Sequence, residues 1–283
     1  MKINIEAIEQ LNDWVERGLN VDDAEVKRSD FYRDIHINSS LFVNRTILTP
    51  AAFVLLAYIV STSKTLTHLD ISYNDMSEYV EEFGIAVALS ESVSHLNMCG
   101  NNIAEHAELF GIAIASSESI THLNVSGNNM GRYAVAFGGA ISNSKSITNL
   151  VMDCNNIGEY AEEFGWCVAR STALKSLYMY DNNIFNAEVF GNAIASSRAL
   201  IHLYLFNIVT PQDAKSFGRS IAHAASLKFI EGIQDLFLEA QACQNAEQCA
   251  IQSQLIYFLP LPVSSIVVEY LGNLLDVFDA EGS

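Results

Sequence analysis

Apolar residues recur along the middle of the chain with a period of 27 residues. Each period opens with an aliphatic residue, first at Leu66 and next at Val93. A leucine follows three positions later, and it recurs at Leu69, Leu96, Leu123, Leu150, Leu177 and, after 26 residues, Leu203. A fixed period of this length is typical of a solenoid, in which consecutive units stack on one another. The pattern therefore predicts a repeat array rather than one globular core.

Each period predicts one strand, one turn and one helix. Leu69 and Ile71 alternate with His68 and Asp70, so a strand there would bury one face and expose the other. An asparagine then marks a turn, and the next segment, such as 107–114, carries apolar residues at helical spacing. Stacking of such units would make equivalent residues of successive periods lateral neighbours.

Three columns of residues at fixed places in the period predict how the units pack. Turn asparagines stand at Asn74, Asn101, Asn128, Asn155 and Asn182, with further asparagines at Asn102, Asn129, Asn156 and Asn183. The first set is expected to bond backbone groups of adjacent turns, and the second set suits left-handed turn geometry. The helices carry Phe-Gly pairs that begin at Phe83, Phe110, Phe137, Phe164, Phe190 and Phe217. A helical glycine costs about 1 kcal/mol relative to alanine, so the column predicts a close approach between neighbouring layers.

The two ends of the chain depart from the period. We assign residues 1–63 to an N-terminal cap with a degenerate first repeat, 64–230 to the array, and 231–283 to a C-terminal helical cap. Such caps are expected because an end unit otherwise exposes the shared core. In the first segment, the alternation of Ile35 and Ile37 predicts a strand. Thr49 and Pro50 predict a helix N-terminus that continues to about Ile59.

The motif L-x-x-L-x-L-x-x-N, repeated with a helix in each unit, resembles leucine-rich repeats of the ribonuclease-inhibitor type. The resemblance covers about residues 64–230. It implies an α/β leucine-rich-repeat solenoid shaped as a horseshoe, with a concave parallel β-sheet, convex α-helices and helical caps. It does not imply ribonuclease inhibition, because that activity relies on a longer, cysteine-rich array.

The net charge indicates which kinds of partner the protein could bind, and the cysteine content indicates its redox compartment. The net charge is −18, which repels phosphate backbones and anionic membranes and would attract a basic protein. The five cysteines form no Cys-x-x-Cys pair, which fits a reducing compartment. Residues 1–10 lack the pattern of a secretory signal, and the longest apolar run, 51–60, is too short to span a bilayer. We therefore expect no nucleic-acid binding and no membrane span.

A column of histidines is a candidate for chemistry. His68, His95 and His122 occupy the same outward strand position in three successive units. Three imidazoles could ligate zinc or sense pH, but ladder neighbours point in parallel rather than toward one centre. We treat them as a secondary partner-binding or pH-sensing site and predict no metal. No hydrolase, phosphate-loop or metalloprotease motif occurs, so we predict no catalytic residue, no cofactor and no enzymatic activity.

The outward strand positions change character along the array and give the main site prediction. In early units they are Asp70, Ser72, Asn97, Asn124 and Ser126, and in later units they are Val151, Tyr178, Tyr180, Tyr204 and Phe206. Large exposed rings are typical of protein-binding hot spots. Asp153 and Asp181 stand beside them and could pair with basic residues of a partner. The alternative, that C-terminal helices cover these rings, stays open.

Two functional hypotheses follow. The Asn- and Ser-rich repeats resemble leucine-rich-repeat effectors that intracellular bacterial pathogens inject into host cells. This resemblance implies a scaffold that binds a host protein, is secreted without an N-terminal signal peptide, and acts in the host cytoplasm. Without such secretion the protein would be cytoplasmic. The alternative is a ubiquitin-ligase adaptor, because the segment 259–271 resembles the opening of an F-box helix, although a last-helix cap would also explain that segment.

Overall fold

One parallel sheet organises the computed structural model of the chain, which describes residues 1–3, 5–43, 49–205, 216–218, 220–221 and 224–231. Within these residues, eight strands pair in sequence order. The strands are β1 (Ser40–Phe42), β2 (His68–Asp70), β3 (His95–Asn97), β4 (His122–Asn124), β5 (Asn149–Val151), β6 (Ser176–Tyr178), β7 (His202–Tyr204) and β8 (Phe229–Glu231). Every neighbouring pair is parallel, so the chain must cross back between consecutive strands.

Helices make these crossovers and also form the N-terminal end. The first three are α1 (Ile5–Glu16), α2 (Ala24–Arg28) and α3 (Asp30–Ile37). The crossover helices are α4 (Pro50–Thr62), α5 (Val80–Ala88), α6 (Ala107–Ala115), α7 (Tyr133–Ile141), α8 (Ala161–Ala169) and α9 (Ala187–Ala195). Short 3₁₀ turns, Ala104–His106 and Gly158–Tyr160, lead into α6 and α8. The helices pack side by side in the same order as the strands.

The register of the sheet follows the sequence period. Leu69 lies opposite Leu96, which lies opposite Leu123, and all three are buried. The shortened unit keeps the alignment, because Leu177 lies opposite Leu203. The predicted parallel stack of strand–helix units is therefore confirmed. The predicted strand was longer than the three-residue strands observed, because the chain turns as soon as each unit has paired.

The strand layer forms the inner, concave side of the stack. Equivalent rings on adjacent strands, such as His68 and His95, have centroids 4.1 Å apart. The equivalent rings of Phe190 and Phe217, on the helix side of the core, are 6.1 Å apart. Strands pair at about 4.8 Å, whereas packed helices need about 8–10 Å, so a stack of both curves toward its strands.

The phenylalanine column fills the core between helices and strands. All six of its members are fully buried. The glycine that follows each phenylalanine makes room for the next unit's ring: a Cβ added at Gly84 would lie 2.9 Å from Phe110 Cδ2, and one at Gly111 the same distance from Phe137 Cδ2. The predicted close approach is confirmed, and the contacting group is the phenylalanine of the next helix. At Gly218, none of the described residues lies within 4 Å of an added Cβ.

Buried asparagines link the turns of successive units. The Asn128 side-chain amide donates to the carbonyl oxygens of Met98 and Val125, at 3.0 and 2.8 Å. Its Oδ1 accepts from the backbone N–H of Asn101 at 2.8 Å. Asn155 repeats the arrangement one unit later and accepts from the N–H of Asn128 at 3.0 Å. The predicted structural role of this column is confirmed.

Left-handed residues shape each of these turns. The second asparagines have positive φ, as predicted: 56° at Asn102, 52° at Asn129, 55° at Asn156 and 49° at Asn183. A second left-handed position lies two residues earlier, where the array carries Tyr73, Gly100, Gly127, Cys154 and Asp181. Each turn therefore holds two residues in a conformation that glycine and asparagine adopt most readily.

Two expectations from the sequence are wrong. Ile35 and Ile37 lie in α3, which Ser29 caps by accepting from the N–H of Tyr32. Phe31 and Ile35 are one helical turn apart and buried, whereas Ile37 is 68% exposed, so the helical spacing decided the structure. In the array, Ser72 and Ser126 are buried rather than outward-facing. They follow the last strand residue, where the chain already bends into the turn.

The helix predicted to begin at Thr49 and Pro50 is confirmed. The Thr49 hydroxyl accepts from the N–H of Ala52, and Pro50 is the first residue of α4, which ends at Thr62. Phe206 and the F-box-like segment 259–271 lie outside the described residues, as does the C-terminal region from 232 onward. Within the described residues, none of the helices has the length and apolarity needed to cross a membrane.

Gly138 and Gly139 offer a matched test of the close packing. A Cβ added at Gly138 would lie 2.8 Å from Phe164 Cδ2, whereas one at Gly139 would meet only Cys167 Sγ, at 3.9 Å. We expect Gly138→Ala to lower the free energy of unfolding by about 1–3 kcal/mol through overpacking. Gly139→Ala should raise it by about 0.5–1 kcal/mol, because it only removes a helical glycine. Chemical denaturation measures both effects, and equal effects would contradict the close approach.

Candidate partner-binding surface

The outward face of the sheet carries two parallel columns of side chains, one from the first and one from the third residue of strands β1 to β7. The first column comprises Ser40, His68, His95, His122, Asn149, Ser176 and His202. The third column comprises Phe42, Asp70, Asn97, Asn124, Val151, Tyr178 and Tyr204. The middle residues of these strands are buried leucines, so the two columns alone face outward. Parallel pairing fixes both columns in register.

The three histidines form a stacked ladder. The ring centroids of His68 and His95 are 4.1 Å apart with an interplanar angle of 16°, and those of His95 and His122 are 4.0 Å apart at 11°. Near-parallel rings do not converge on one point, as tetrahedral coordination of zinc requires. Among the described residues, no group of three or more His, Cys, Asp or Glu side chains is placed to hold a metal ion.

A hydroxyl group orients each ring of the ladder. The side-chain oxygens of Thr67, Ser94 and Thr121 lie 2.8, 2.9 and 2.8 Å from Nδ1 of the histidine that follows each of them. In the next unit the same hydroxyl, from Thr148, donates to Oδ1 of Asn149 at 2.9 Å. Asparagine thus takes the place of histidine in the same local arrangement.

The ladder disfavours the charged form of its later members. Burial lowers the pKa of His95, and the neighbouring rings of His122 and His68 lower it further. Burial, followed by the effect of His68, also lowers the pKa of His122. These two rings therefore stay neutral to a lower pH than an isolated histidine does. A positive charge on one ring of the stack also disfavours protonation of its neighbour.

Tyrosines dominate the later part of the third column. The rings of Tyr178 and Tyr204 stack with centroids 4.0 Å apart and planes within 3°. Val151 precedes Tyr178 in the same column, and His202 lies 6.5 Å from the Tyr204 ring. All of these side chains are half-buried, so part of each ring faces solvent. We call Val151, Tyr178 and Tyr204 the aromatic patch.

The remaining predicted site residues border this patch at the turns. The Asp153 carboxylate accepts a hydrogen bond from the backbone N–H of Tyr180 at 2.8 Å. Burial raises the pKa of Asp153, the Tyr180 bond opposes this, and Asp181 adds to the rise. Asp181 itself is exposed at a left-handed turn position, with φ of 52°. Tyr180, Asp153 and Asp181 therefore form the turn-side border of the aromatic patch.

A groove of about 370 Å³ joins the two columns. His68, His95 and His122 line it together with Val151 and Tyr178. The structure thus brings together the histidine column and part of the aromatic column, which the sequence presented as separate sites. We call this groove and the aromatic patch together the strand-face surface.

The sequence did not reveal Phe42, a member of this surface, or Tyr73, an exposed residue at a turn outside it. Phe42 lines the groove and is 43% exposed, but its strand was misplaced because the first unit departs from the period. Its one available signal was Leu41, which lies opposite Leu69 at a spacing of 28 residues. Tyr73 is 52% exposed, and its hydroxyl lies 3.6 Å from Cys99 Sγ. A large residue at a turn position that holds glycine in the next two units was the signal for it.

The environment of the Cys154 thiol is not that of a nucleophile. Partial desolvation raises the pKa of the Cys154 thiol, and the carboxylates of Asp181 and Asp153 raise it further. A reactive cysteine needs the opposite environment, one that stabilises the thiolate.

The lowered pKa values predict how stability depends on pH. The unfolded histidine takes up a proton near pH 6.5, before the folded His95 and His122 do. The free energy of unfolding should therefore fall as the pH drops below about 6.5. The double variant His95→Asn with His122→Asn, which copies the natural Asn149 of the next unit, should show a shallower fall. Denaturant titrations between about pH 7 and pH 5 measure the slope.

His36→Asn serves as the control for this experiment. His36 lies in α3, away from the sheet, and bonds the carbonyl oxygen of Tyr32. The pH slope of the free energy of unfolding should differ between the wild type and the double variant by the same amount whether residue 36 is His or Asn. Identical slopes for the wild type and the double variant would contradict the account of the ladder.

Comparisons with known proteins support the fold. No protein-family model and no curated protein matches the sequence of this chain. Among solved structures, the chain is similar to the leucine-rich repeat-containing protein LegL7 from Legionella pneumophila. The TM-score is 0.51 at 18% identity, and the alignment covers 80% of this chain and 74% of LegL7. Together with the single parallel sheet and its crossover helices, this similarity shows that the chain has the leucine-rich-repeat fold.

Proposed function

We propose that this protein is a non-enzymatic scaffold that binds a partner protein on its strand-face surface. The observation that carries the proposal is the stacked pair Tyr178 and Tyr204, partly exposed on a rigid parallel sheet. Tyrosine offers a large contact area with few rotatable bonds, so little conformational entropy is lost when it is covered. A surface built this way is organised for binding before the partner arrives.

The shape of the surface also supports a protein partner. The groove runs along the sheet from Phe42 to Tyr178, across strands contributed by several units. Its lining mixes aromatic rings with amides and imidazoles, which is typical of an interface core with a polar rim. A side chain or a short segment of the partner would enter the groove, and the aromatic patch would provide the main contact area.

The charges around the patch favour a basic partner. Asp153 and Asp181 border the aromatic patch, and Asp70 lines the groove. The chain as a whole carries a net charge of −18. Lysine or arginine side chains of a partner would pair with these carboxylates at the rim and would be attracted over a distance during association.

We further propose that the protein is an effector of an intracellular bacterium and binds a host protein in the host cytoplasm. The resemblance of its repeats to injected leucine-rich-repeat effectors supports this proposal. The structural similarity to a protein of Legionella pneumophila points in the same direction. Such a protein would be secreted without an N-terminal signal peptide. The ubiquitin-ligase adaptor hypothesis rests on residues 259–271 alone and stays a prediction from the sequence.

Removal of the stacked tyrosines tests the proposed function. We expect Tyr178→Ala combined with Tyr204→Ala to weaken capture of the partner by about 2–4 kcal/mol, because truncated aromatic anchors remove most of a hot spot. The free energy of unfolding should change little, since both rings are partly exposed. The measurement is quantitative affinity capture from a eukaryotic lysate, followed by titration of the captured protein.

The control variant carries Tyr58→Ala and Phe185→Ala. These two aromatic residues are 37% and 56% exposed, but they lie in α4 and in the turn before α9, away from the sheet face. Their replacement should leave capture unchanged. Equal capture by the wild type and the tyrosine variant would show that the aromatic patch is not the binding site.

A further inference from the structure

A second groove lies where the helices end and the chain enters the strands, at the opposite edge of the sheet from the asparagine turns. Its volume is about 740 Å³, and its lining includes Trp166, Arg170, Lys175 and Arg198. It shares no lining residue with the groove of the strand-face surface. We call these four residues and the space between them the basic groove.

Positive charge is concentrated around the basic groove in a chain that is otherwise strongly acidic. The loops that enter β5, β6, β7 and β8 contain no Asp or Glu in residues 142–149, 169–176, 195–202 and 224–229. The same segments carry five cations: Lys145, Arg170, Lys175, Arg198 and Lys228. The loops of the two preceding units instead carry Glu91 and Glu118. The basic character is therefore specific to the later units and is not a property of the repeat.

These cations have no carboxylate partner within the part of the chain that the structure describes. The ion pairs found there involve Arg17, Lys27, Arg33, Lys64 and His106. Lys64, in the equivalent loop of the first 27-residue unit, pairs with Glu91. Arg170 contacts only a thiol, Cys167 Sγ, at 3.5 Å. Among the described residues, therefore, none places a carboxylate against the guanidinium and ammonium groups of the basic groove.

The two units that line the groove depart from the repeat. Most loops carry a serine whose hydroxyl donates to the previous loop, as Ser146 does to the carbonyl oxygen of Ser117 at 2.7 Å and Ser226 does to that of Ser197 at 2.6 Å. The two units that form the groove have Ala173 and Ala199 at this position. These two loops therefore lack the serine hydrogen bond that joins the other loops to their predecessors.

Trp166 adds an apolar wall at one side of the space. It is 42% exposed, in α8, where the equivalent residue of the preceding unit is Gly139 and that of the next is Asn192. An exposed tryptophan beside arginine and lysine can cover the backbone and the aliphatic part of a bound chain. The combination of a flat ring and several cations is suited to a peptide better than to a lone ion.

We propose that the basic groove binds an extended acidic segment of a partner protein. Its carboxylates would pair with Arg170, Lys175 and Arg198, and its backbone would lie against Trp166. A single exposed ion pair contributes little, so an appreciable affinity needs several pairs at once. The cations of the basic groove lie in two adjacent loops, and Lys145 and Lys228 lie in the loops on either side. These four loops are spaced as strands are, at about 4.8 Å, so together they span roughly 14 Å. An extended segment of about five residues covers that length.

The net charge argues against a nucleic acid or an anionic membrane as the occupant. Both present negative charge far beyond the groove and would meet the acidic remainder of a protein with net charge −18. Screening limits electrostatic contact to about 8 Å at physiological ionic strength, so a short acidic segment would interact mainly with the local cations. The basic groove is independent of the strand-face surface, so the two proposals can fail separately.

The test uses the full chain and a fluorescein-labelled peptide of six residues, four of them Glu or Asp. Fluorescence anisotropy should show saturable binding that weakens as salt is raised. The double variant Arg170→Glu with Arg198→Glu should bind at least tenfold more weakly, and Arg170→Gln with Arg198→Gln should fall between the two. Both arginines are exposed, so their replacement should leave the melting temperature nearly unchanged.

Lys64→Glu is the control, because it reverses a charge at the same edge of the sheet but outside the groove, with half the change of net charge of the double variant. It should bind the peptide as the wild type does. A peptide with Gln in place of Glu and Asp should not bind. Absence of binding, or equal binding by the Glu variant, would overturn the proposal. It would also be overturned if phosphatidylserine vesicles or a single-stranded oligonucleotide bound at the groove and the acidic peptide did not.

Discussion

The buried asparagine column is the interaction on which the rest of this structure depends. Each amide donates to carbonyl oxygens of its own unit and of the preceding one, and its oxygen accepts an N–H from the preceding turn. These backbone groups lie in turns that no strand pairing can satisfy, so a fixed donor and acceptor must reach them. The column therefore fixes the distance between the turns of successive units and holds their equivalent residues in register.

Because the units stack in register, residues at equivalent positions of successive units lie side by side on the surface. A unit that carries a different residue type at such a position therefore changes the surface at that point. The histidine ladder and the Tyr178–Tyr204 stack form because the rings at equivalent positions of adjacent strands have centroids about 4 Å apart. The basic groove lies where Ala173 and Ala199 stand in place of the serine that hydrogen-bonds the preceding loop in other units. One scaffold thus presents a tyrosine-rich surface bordered by carboxylates on its inner face and a cluster of cations at one edge.

Periodicity was enough to predict the stack, the strand direction and the roles of the asparagine, phenylalanine and glycine columns. It failed where the period ended: Ile35 and Ile37 imitate a strand, and only the burial of Phe31 beside Ile35 shows the helix. Phe42 was missed for the same reason. The groove between the histidines and Tyr178 could not be predicted, because it depends on how far each side chain projects. Ser72 and Ser126 were misplaced because alternation stops where the turn begins.

The most direct test of this account is the unfolding of Asn128→Ala compared with Asn129→Gly. Replacement of Asn128 leaves the buried N–H groups of Asn101 and Ile103 without their acceptor. It also removes one of the two hydrogen bonds that each of three carbonyl oxygens accepts, those of Met98, Val125 and Ser126. Its neighbour Asn129 is exposed and left-handed, which glycine also permits. The account predicts that Asn128→Ala lowers the free energy of unfolding by roughly 3–5 kcal/mol and that Asn129→Gly changes it by less than about 1 kcal/mol. Equal effects of the two replacements would contradict it.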